Sequence, residues 1–340
     1  YFEQKEISSL EYGPASVPVP GTGLANGSSA TPTGRFVFQD PNTGVVYNLT
    51  PNTGDSDPTF DPTQTGCDRT DGFHCFTTAD RFNFAPYNLL LTPSERKSVF
   101  GQVQFDFTPT FGGFVRLLYN ERNSANQAAP EPFFLGTDAG VYNDYAERTL
   151  VISALNPYNP FGFDLTTAGD APNLFLLGRR PVEGGPRRFE QDVETWYASG
   201  GLNGVFDVAD RPWSWDVNLV RSESKAEQTN TGSYNIRRIN EALGDPSACA
   251  AISGCVPLNV FGGPGTITPD MLAWIQPVVR DESRNTLSLA SANLTGELFE
   301  GWAGPVSFAA GVEYREYEGE YRPDALTVAG EYNGVPSGPT

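Results

Sequence analysis

The chain has 340 residues, with 22 Lys and Arg against 41 Asp and Glu, and a formal charge of −19. That balance, with no basic stripe or block, repels nucleic-acid phosphates and, over the whole chain, anionic lipid headgroups; no nucleic-acid partner is expected. The 36 glycines, 28 prolines and 12% aromatic residues describe many turns and many aromatic-bearing strands, so an all-β fold is expected.

The opening "YFEQKEISSL" carries no initiator Met, basic region or hydrophobic core, and reads as a strand over about 1–10 in a processed product or internal piece. A long connection, 11–97, follows. Its stretch 40–66 repeats Pro-Asn-Thr-Gly at 41 and 51 and carries Asp55, Asp57 and Asp61. Oxygen-rich loops of this kind can hold Ca²⁺, but the EF-hand spacing is missing and a solvated turn-rich loop is favoured.

The next strand, 98–107, places Val99, Gly101, Val103, Phe105 and Phe107 on one face and Ser98, Gln102, Gln104 and Asp106 on the other. After a turn over Thr108 to Gly112, the strand 113–122 returns with Val115, Leu117 and Tyr119 opposing Arg116, Asn120 and Arg122. A second long connection, 123–192, contains "NPYNPFGFD", whose rings offer stacking surfaces for a ligand. It also contains "RRPVEGGPRR", where Arg179, Arg180, Arg187 and Arg188 flank Glu183; internal pairing is favoured there over a bound carboxylate or phosphate.

The pattern recurs in a second hairpin, 193–206 and 213–222, where Trp196, Ala198, Leu202, Phe206, Trp213, Trp215, Val217 and Leu219 share the apolar face. Thr195, Ser199, Asn203, Ser214, Asp216 and Asn218 oppose them. A third connection, 223–285, leads to a third hairpin, 286–298 and 305–318. There Ala290, Ala292, Leu294, Leu298, Val306, Phe308, Ala310, Val312 and Tyr314 oppose Asn293, Thr295, Glu297, Ser307, Glu313 and Arg315. Residues 319–340 read as a further loop.

Alternation alone also fits a soluble sandwich. Three features favour a membrane. The runs are about nine to eleven residues long, as a tilted transmembrane strand requires. The turns within hairpins are short while the connections between them are long and leave from one end, which suits an outer-membrane barrel with short periplasmic turns and long extracellular loops. Aromatics beside the short turns (Phe107, Phe111, Phe206, Trp213, Trp215, Phe299 and Trp302) fit a membrane interface. On this reading Val103, Phe105, Leu117, Trp215, Val217, Phe308 and Ala310 face outer-membrane lipid, and no helix is apolar enough to cross. Seven strands are counted, whereas such barrels close with even numbers; either a strand hides in a long connection or the chain is a segment.

The four cysteines form two close pairs, Cys67 with Cys75 and Cys249 with Cys255, each read as a disulfide-closed loop in an oxidising exterior. Zinc is the rival, but His74 is the only histidine. No nucleophile elbow or histidine triad supports catalysis, so no enzyme activity, metal or cofactor is expected.

"RFNFAPYNLLLTPSERKSVFGQ" (81–102), "NPYNPFG" (156–162), "RRPVEGGPRR" (179–188), "CVPLNVFGG" (255–263) and "ANLTGELFEGWAGPVSFAAGVEYRE" (292–316) together resemble the barrel of TonB-dependent outer-membrane receptors of Gram-negative bacteria. The resemblance implies a barrel of about twenty-two strands filled by an amino-terminal plug. It further implies import of an iron chelate, cobalamin or oligosaccharide with energy relayed by the TonB complex through that plug. No plug, TonB-contacting box or closing aromatic strand is recognisable here, so transport would belong to a larger parent. Lumen-facing Arg116, Asp216, Glu313 and Arg315 are candidates for a ligand path, with recognition expected mainly in the long loops. A non-transporting surface barrel for adhesion or partner docking, and a soluble secreted carbohydrate-binding protein, stay open as alternatives.

Overall fold

The computed structural model describes residues 1–8, 27–140 and 144–333. In chain order the strands are β1 (Phe2–Gln4), β2 (Ile7–Ser8), β3 (Arg35–Gln39), β4 (Val46–Pro51), β5 (Phe73–Cys75), β6 (Leu89–Leu91), β7 (Ser94–Thr108) and β8 (Phe111–Ala128). They continue as β9 (Phe133–Leu135), β10 (Val151–Ile152), β11 (Leu165–Thr166), β12 (Leu174–Arg179), β13 (Arg187–Val208), β14 (Arg211–Thr231), β15 (Val279–Gly301) and β16 (Gly304–Arg322).

One antiparallel sheet of seven strands, ordered β1-β7-β8-β13-β14-β15-β16, forms the body of the molecule. Neighbours along the chain are neighbours in space, as short hairpin turns impose. The turns are tighter than the sequence suggests, because pairing continues to Thr108↔Phe111, Val208↔Arg211 and Gly301↔Gly304 and leaves two residues in each. Ala209 and Asp210 both take positive φ, 52° and 60°, the backbone of a turn whose twist matches that of the strands it joins.

The strands also run past their expected upper ends, β8 to Ala128, β14 to Thr231 and β16 to Arg322. Beyond Tyr119 and Val220 both faces are polar, so alternation disappears while backbone pairing continues. The sheet remains open: among the described residues β16 has a partner only in β15, and the strand expected over 1–10 appears as two short pieces, with residues 9 and 10 outside the described residues.

The long connections are not plain loops. They fold into a cap with its own five-stranded sheet, β5-β4-β3-β12-β9, and short helices at Asp144–Glu147, Ile236–Leu243, Pro246–Ala250, Pro269–Ile275 and Ala325–Val328. Alternation in "RFVFQ" sends Phe36 and Phe38 inward, where Tyr47, Leu49, Phe73, Leu135 and Leu177 meet them. Phe161 lies at the centre of this cluster, 4.4 Å from Phe38, 5.0 Å from Phe60 and 5.5 Å from Phe73 between ring centroids. The aromatic piece "NPYNPFGFD" is thus core and not an exposed stacking surface, since Tyr158 and Phe163 also pack against the cluster. Asn156 and Asn159 fix its turns through their side chains, Asn159 donating to the carbonyls of Ser153 and Phe163. Both disulfides form, Cys67–Cys75 and Cys249–Cys255, with Cα separations of 5.2 and 5.4 Å.

Truncating Phe161 leaves a ring-sized void among rings that cannot collapse onto it. Phe161→Ala is expected to destabilise the cap by about 3–5 kcal/mol, measured as a lowered denaturation midpoint of the cap's near-ultraviolet dichroism.

Candidate functional site

Register alone sorts the large sheet into two faces. One hydrogen-bonded row reads Val103, Val115, Gly200, Leu219, Ala290, Tyr314, and the next reads Phe105, Gly113, Leu202, Val217, Ala292, Val312. Below them come Phe111, Gly204, Trp215, Leu294, Ala310, and then Phe206, Trp213, Gly296, Phe308. The residues assigned to lipid, Val103, Phe105, Leu117, Trp215, Val217, Phe308 and Ala310, therefore share one face. Val103 is 68% exposed and Leu117 56%, and no buried hydrophobic residue among those described lies on these strands below the cap.

Two bulges adjust the lower edge of this band. Phe107 stands unpaired between Asp106↔Gly112 and Thr108↔Phe111, and its ring stacks on Phe111 at 5.0 Å. Leu298 is the extra residue of β15, so Phe299 pairs with Val306 and joins the band in its place. Rings then follow one another along the short-turn end: Phe107 and Phe111, Phe111 and Trp215 at 6.0 Å, Phe206 and Trp213 at 6.4 Å, Trp213 and Phe308 at 6.1 Å. Glycines make room for the indoles. A Cβ on Gly204 would fall 2.6 Å from Trp215 Nε1, and one on Gly296 would strike the Trp213 ring.

The opposite face is polar but carries isolated apolar residues such as Phe114, which lies over Gly201 and under the Arg116 guanidinium at 4.6 Å. Arg116 donates to Gln102 Oε1 at 3.1 Å. Asp216 accepts from Asn218 at 2.6 Å and from Asn293 at 2.9 Å, while Glu313 and Arg315 pair with each other at 2.7 Å along β16. The four candidate ligand-path residues share this wall, but no contact joins the three groups into one site.

The cap contains the most heavily buried polar cluster. Arg179, fully buried, donates to the Arg180 carbonyl at 2.9 Å, Glu183 Oε1 at 3.0 Å and the Gly263 carbonyl at 3.2 Å. Arg180 donates to Ser28 Oγ at 2.9 Å and to the Pro130 carbonyl, and Arg187 to the Ala129 carbonyl at 2.9 Å. Only Arg188 points outward, 3.4 Å from exposed Glu190. "RRPVEGGPRR" thus ties the three long connections to one another and has few donors left for a ligand.

Sequence reasoning missed Glu131, which no periodicity marks. The residue is 6% exposed, its carboxyl beside Ser233, Asn333, the backbone of Tyr234 and Arg187 with Oε2 lacking a partner, and burial pushes its pKa up to about 7. In the acidic stretch the carboxylates cap local turns. Asp61 accepts from Thr63 and Gln64, which hold it down at about 2, and Asp55 accepts from the Asp57 amide at 3.1 Å. His74 lies between Asn52 Oδ1 and Asp80 Oδ1, and among the described residues no group of three or more His, Cys, Asp or Glu is arranged to hold a metal.

No protein-family model and no curated protein matches the chain.

Because Glu131 holds its proton more tightly folded than unfolded, its contribution is complete below about pH 4.5 and is lost as pH rises through about 7. Cap stability should fall across that window by roughly 3 kcal/mol at most. Glu131→Gln should match the native chain at pH 5 and exceed it at pH 8 in denaturant titrations; an unchanged pH slope would remove Glu131 as its source.

Proposed function

We propose that the chain forms part of the wall of a transmembrane β-barrel in a bacterial outer membrane, within a receptor that captures a scarce nutrient (an iron chelate, cobalamin or an oligosaccharide) and imports it with TonB-relayed energy. The shape of the apolar band carries this reading. On β7, β8 and β16 it spans Val99–Phe107, Phe111–Tyr119 and Val306–Tyr314, nine residues each.

The upper edge of the band also drops across the sheet. It is level along Val99, Tyr119 and Trp196 and level again along Leu219, Ala290 and Tyr314, four residues lower, the drop falling between β13 and β14. Four residues are about 13 Å along a strand, and β7 and β16 are separated by five spacings of about 4.8 Å, so averaged over the sheet the strands incline by roughly 30° to the band. Nine inclined residues then rise about 26 Å. The height is that of the hydrophobic zone of an outer-membrane barrel and the inclination approaches its strand tilt, while a sandwich core requires neither. In water an uncovered apolar face of this extent would exceed anything a monomeric protein normally exposes.

The polar wall would line the lumen and the cap would stand at the extracellular mouth. That the cap is a folded unit with its own core also favours the second reading, a surface barrel whose cap docks a partner without transport. Uptake of a labelled nutrient by cells carrying the full receptor separates the two.

Placing Arg at Val217 or Phe308 should cost about 2–4 kcal/mol in lipid vesicles, and Arg at Asn218 or Ser307 much less. Equal costs on both faces, or a chain that stays in the aqueous layer of a flotation gradient without detergent, would reject the membrane reading.

A further inference from the structure

The apolar band has a defect near its upper edge. On its upper half β13 and β15 present small residues, Ala198, Gly200 and Ala290, between the larger side chains of Val115, Leu219 and Tyr314, and the result is a groove of about 580 Å³. Its lining is almost wholly apolar except at the upper end, where Arg221 and Ser288 close it.

Arg221 is unusual in its place and its partners. It follows Leu219, the last aliphatic residue on that face of β14, and lies opposite Ala198 on one side and Ser288 on the other. Its guanidinium donates to Ser288 Oγ, and among the described residues it pairs with no carboxylate. The other charges nearby do not serve it: Glu223 is taken by Lys225 at 3.3 Å, and Glu316 lies on the far side of Ser288. By contrast Lys97, the cation just above the band on β7, is held by Glu95 at 3.3 Å and Glu121 at 3.9 Å. An unpaired guanidinium retains bidentate capacity for a phosphate.

We infer that the outward face of β13–β15 holds one anionic membrane lipid, an acyl chain lying in the groove between Val115 and Tyr314 and its phosphate on Arg221. The inference rests on the membrane reading above. Ala198, Gly200 and Ala290 give the chain its depth, and Arg221 supplies a local cation against the strongly negative charge of the protein as a whole. A free anion would need only Arg221; the apolar groove below it is what selects a lipid.

The test uses the purified chain in detergent micelles, with dioleoyl phosphatidate and dioleoyl phosphatidylcholine as probes and retained lipid counted by native mass spectrometry. Phosphatidate is expected to bind at least tenfold more tightly than phosphatidylcholine. Arg221→Gln should abolish that preference, Arg221→Lys should keep part of it, and Ala290→Leu, which fills the groove, should weaken both lipids. Equal binding of the two lipids by the native chain, an unchanged preference in Arg221→Gln, or displacement of phosphatidate by equimolar glycerol 3-phosphate would overturn the proposal. Arg221→Gln changes one exposed side chain, so the test does not depend on whether Ala290→Leu folds. If the native chain floats with vesicles but shows no headgroup preference, the lipid site alone fails; if it stays in the aqueous layer, both the site and the membrane reading fail.

Discussion

The hydrogen-bonded ladder of the large sheet is the constraint from which the two faces of the molecule follow. Each peptide group of β8, β13, β14 and β15 is committed to a neighbour on either side along most of the strand, and that commitment forces a strict alternation of side chains between two faces. A slip of one residue in any strand would carry its whole apolar set to the polar wall. The ladder admits only two bulges among the six long strands, both beside short turns, so they move Phe107 and Phe299 without disturbing the rows above.

The sheet and the cap solve the burial problem in opposite ways. In the cap, aromatic rings pack on one another and buried arginines satisfy carbonyls from three separate connections, so its cohesion is internal. Among the described residues the sheet has no second layer and no core of its own, and its apolar face depends on whatever medium or molecule lies against it. Backbone pairing holds the strands together; it does not compensate for an apolar surface left in water.

How much of this is visible in the bare sequence depends on the length of each element and on whether its two faces differ. From Val99 to Phe107 and from Val306 to Tyr314 the faces contrast strongly, so parity can be read residue by residue. Above the band, "FEQDVETW" and "RDESRNT" place polar residues on both faces, and the strands there leave no mark although their pairing is complete. Cap strands of three to six residues are too short to show a period. Phe161 illustrates the limit: an aromatic residue between prolines and glycines looks like an exposed loop tip, and only the arrival of Phe36, Phe38 and Phe73 from distant positions makes it core. Cysteine pairs six and eight residues apart were easier, because so short a loop leaves few other partners.

The reach of the strands beyond the band has its own consequence. From Leu219 to Thr231, β14 climbs twelve residues, which at the inclination of the band lifts the cap roughly 30 Å clear of the apolar zone. The sheet acts as a set of stilts. On the proposed barrel reading, a bulky visitor settling on the cap would touch nothing of the apolar band, and only something slim enough to pass down the polar side would arrive at Arg116 and Asp216. Selection by size would then be separated in space from selection by chemistry.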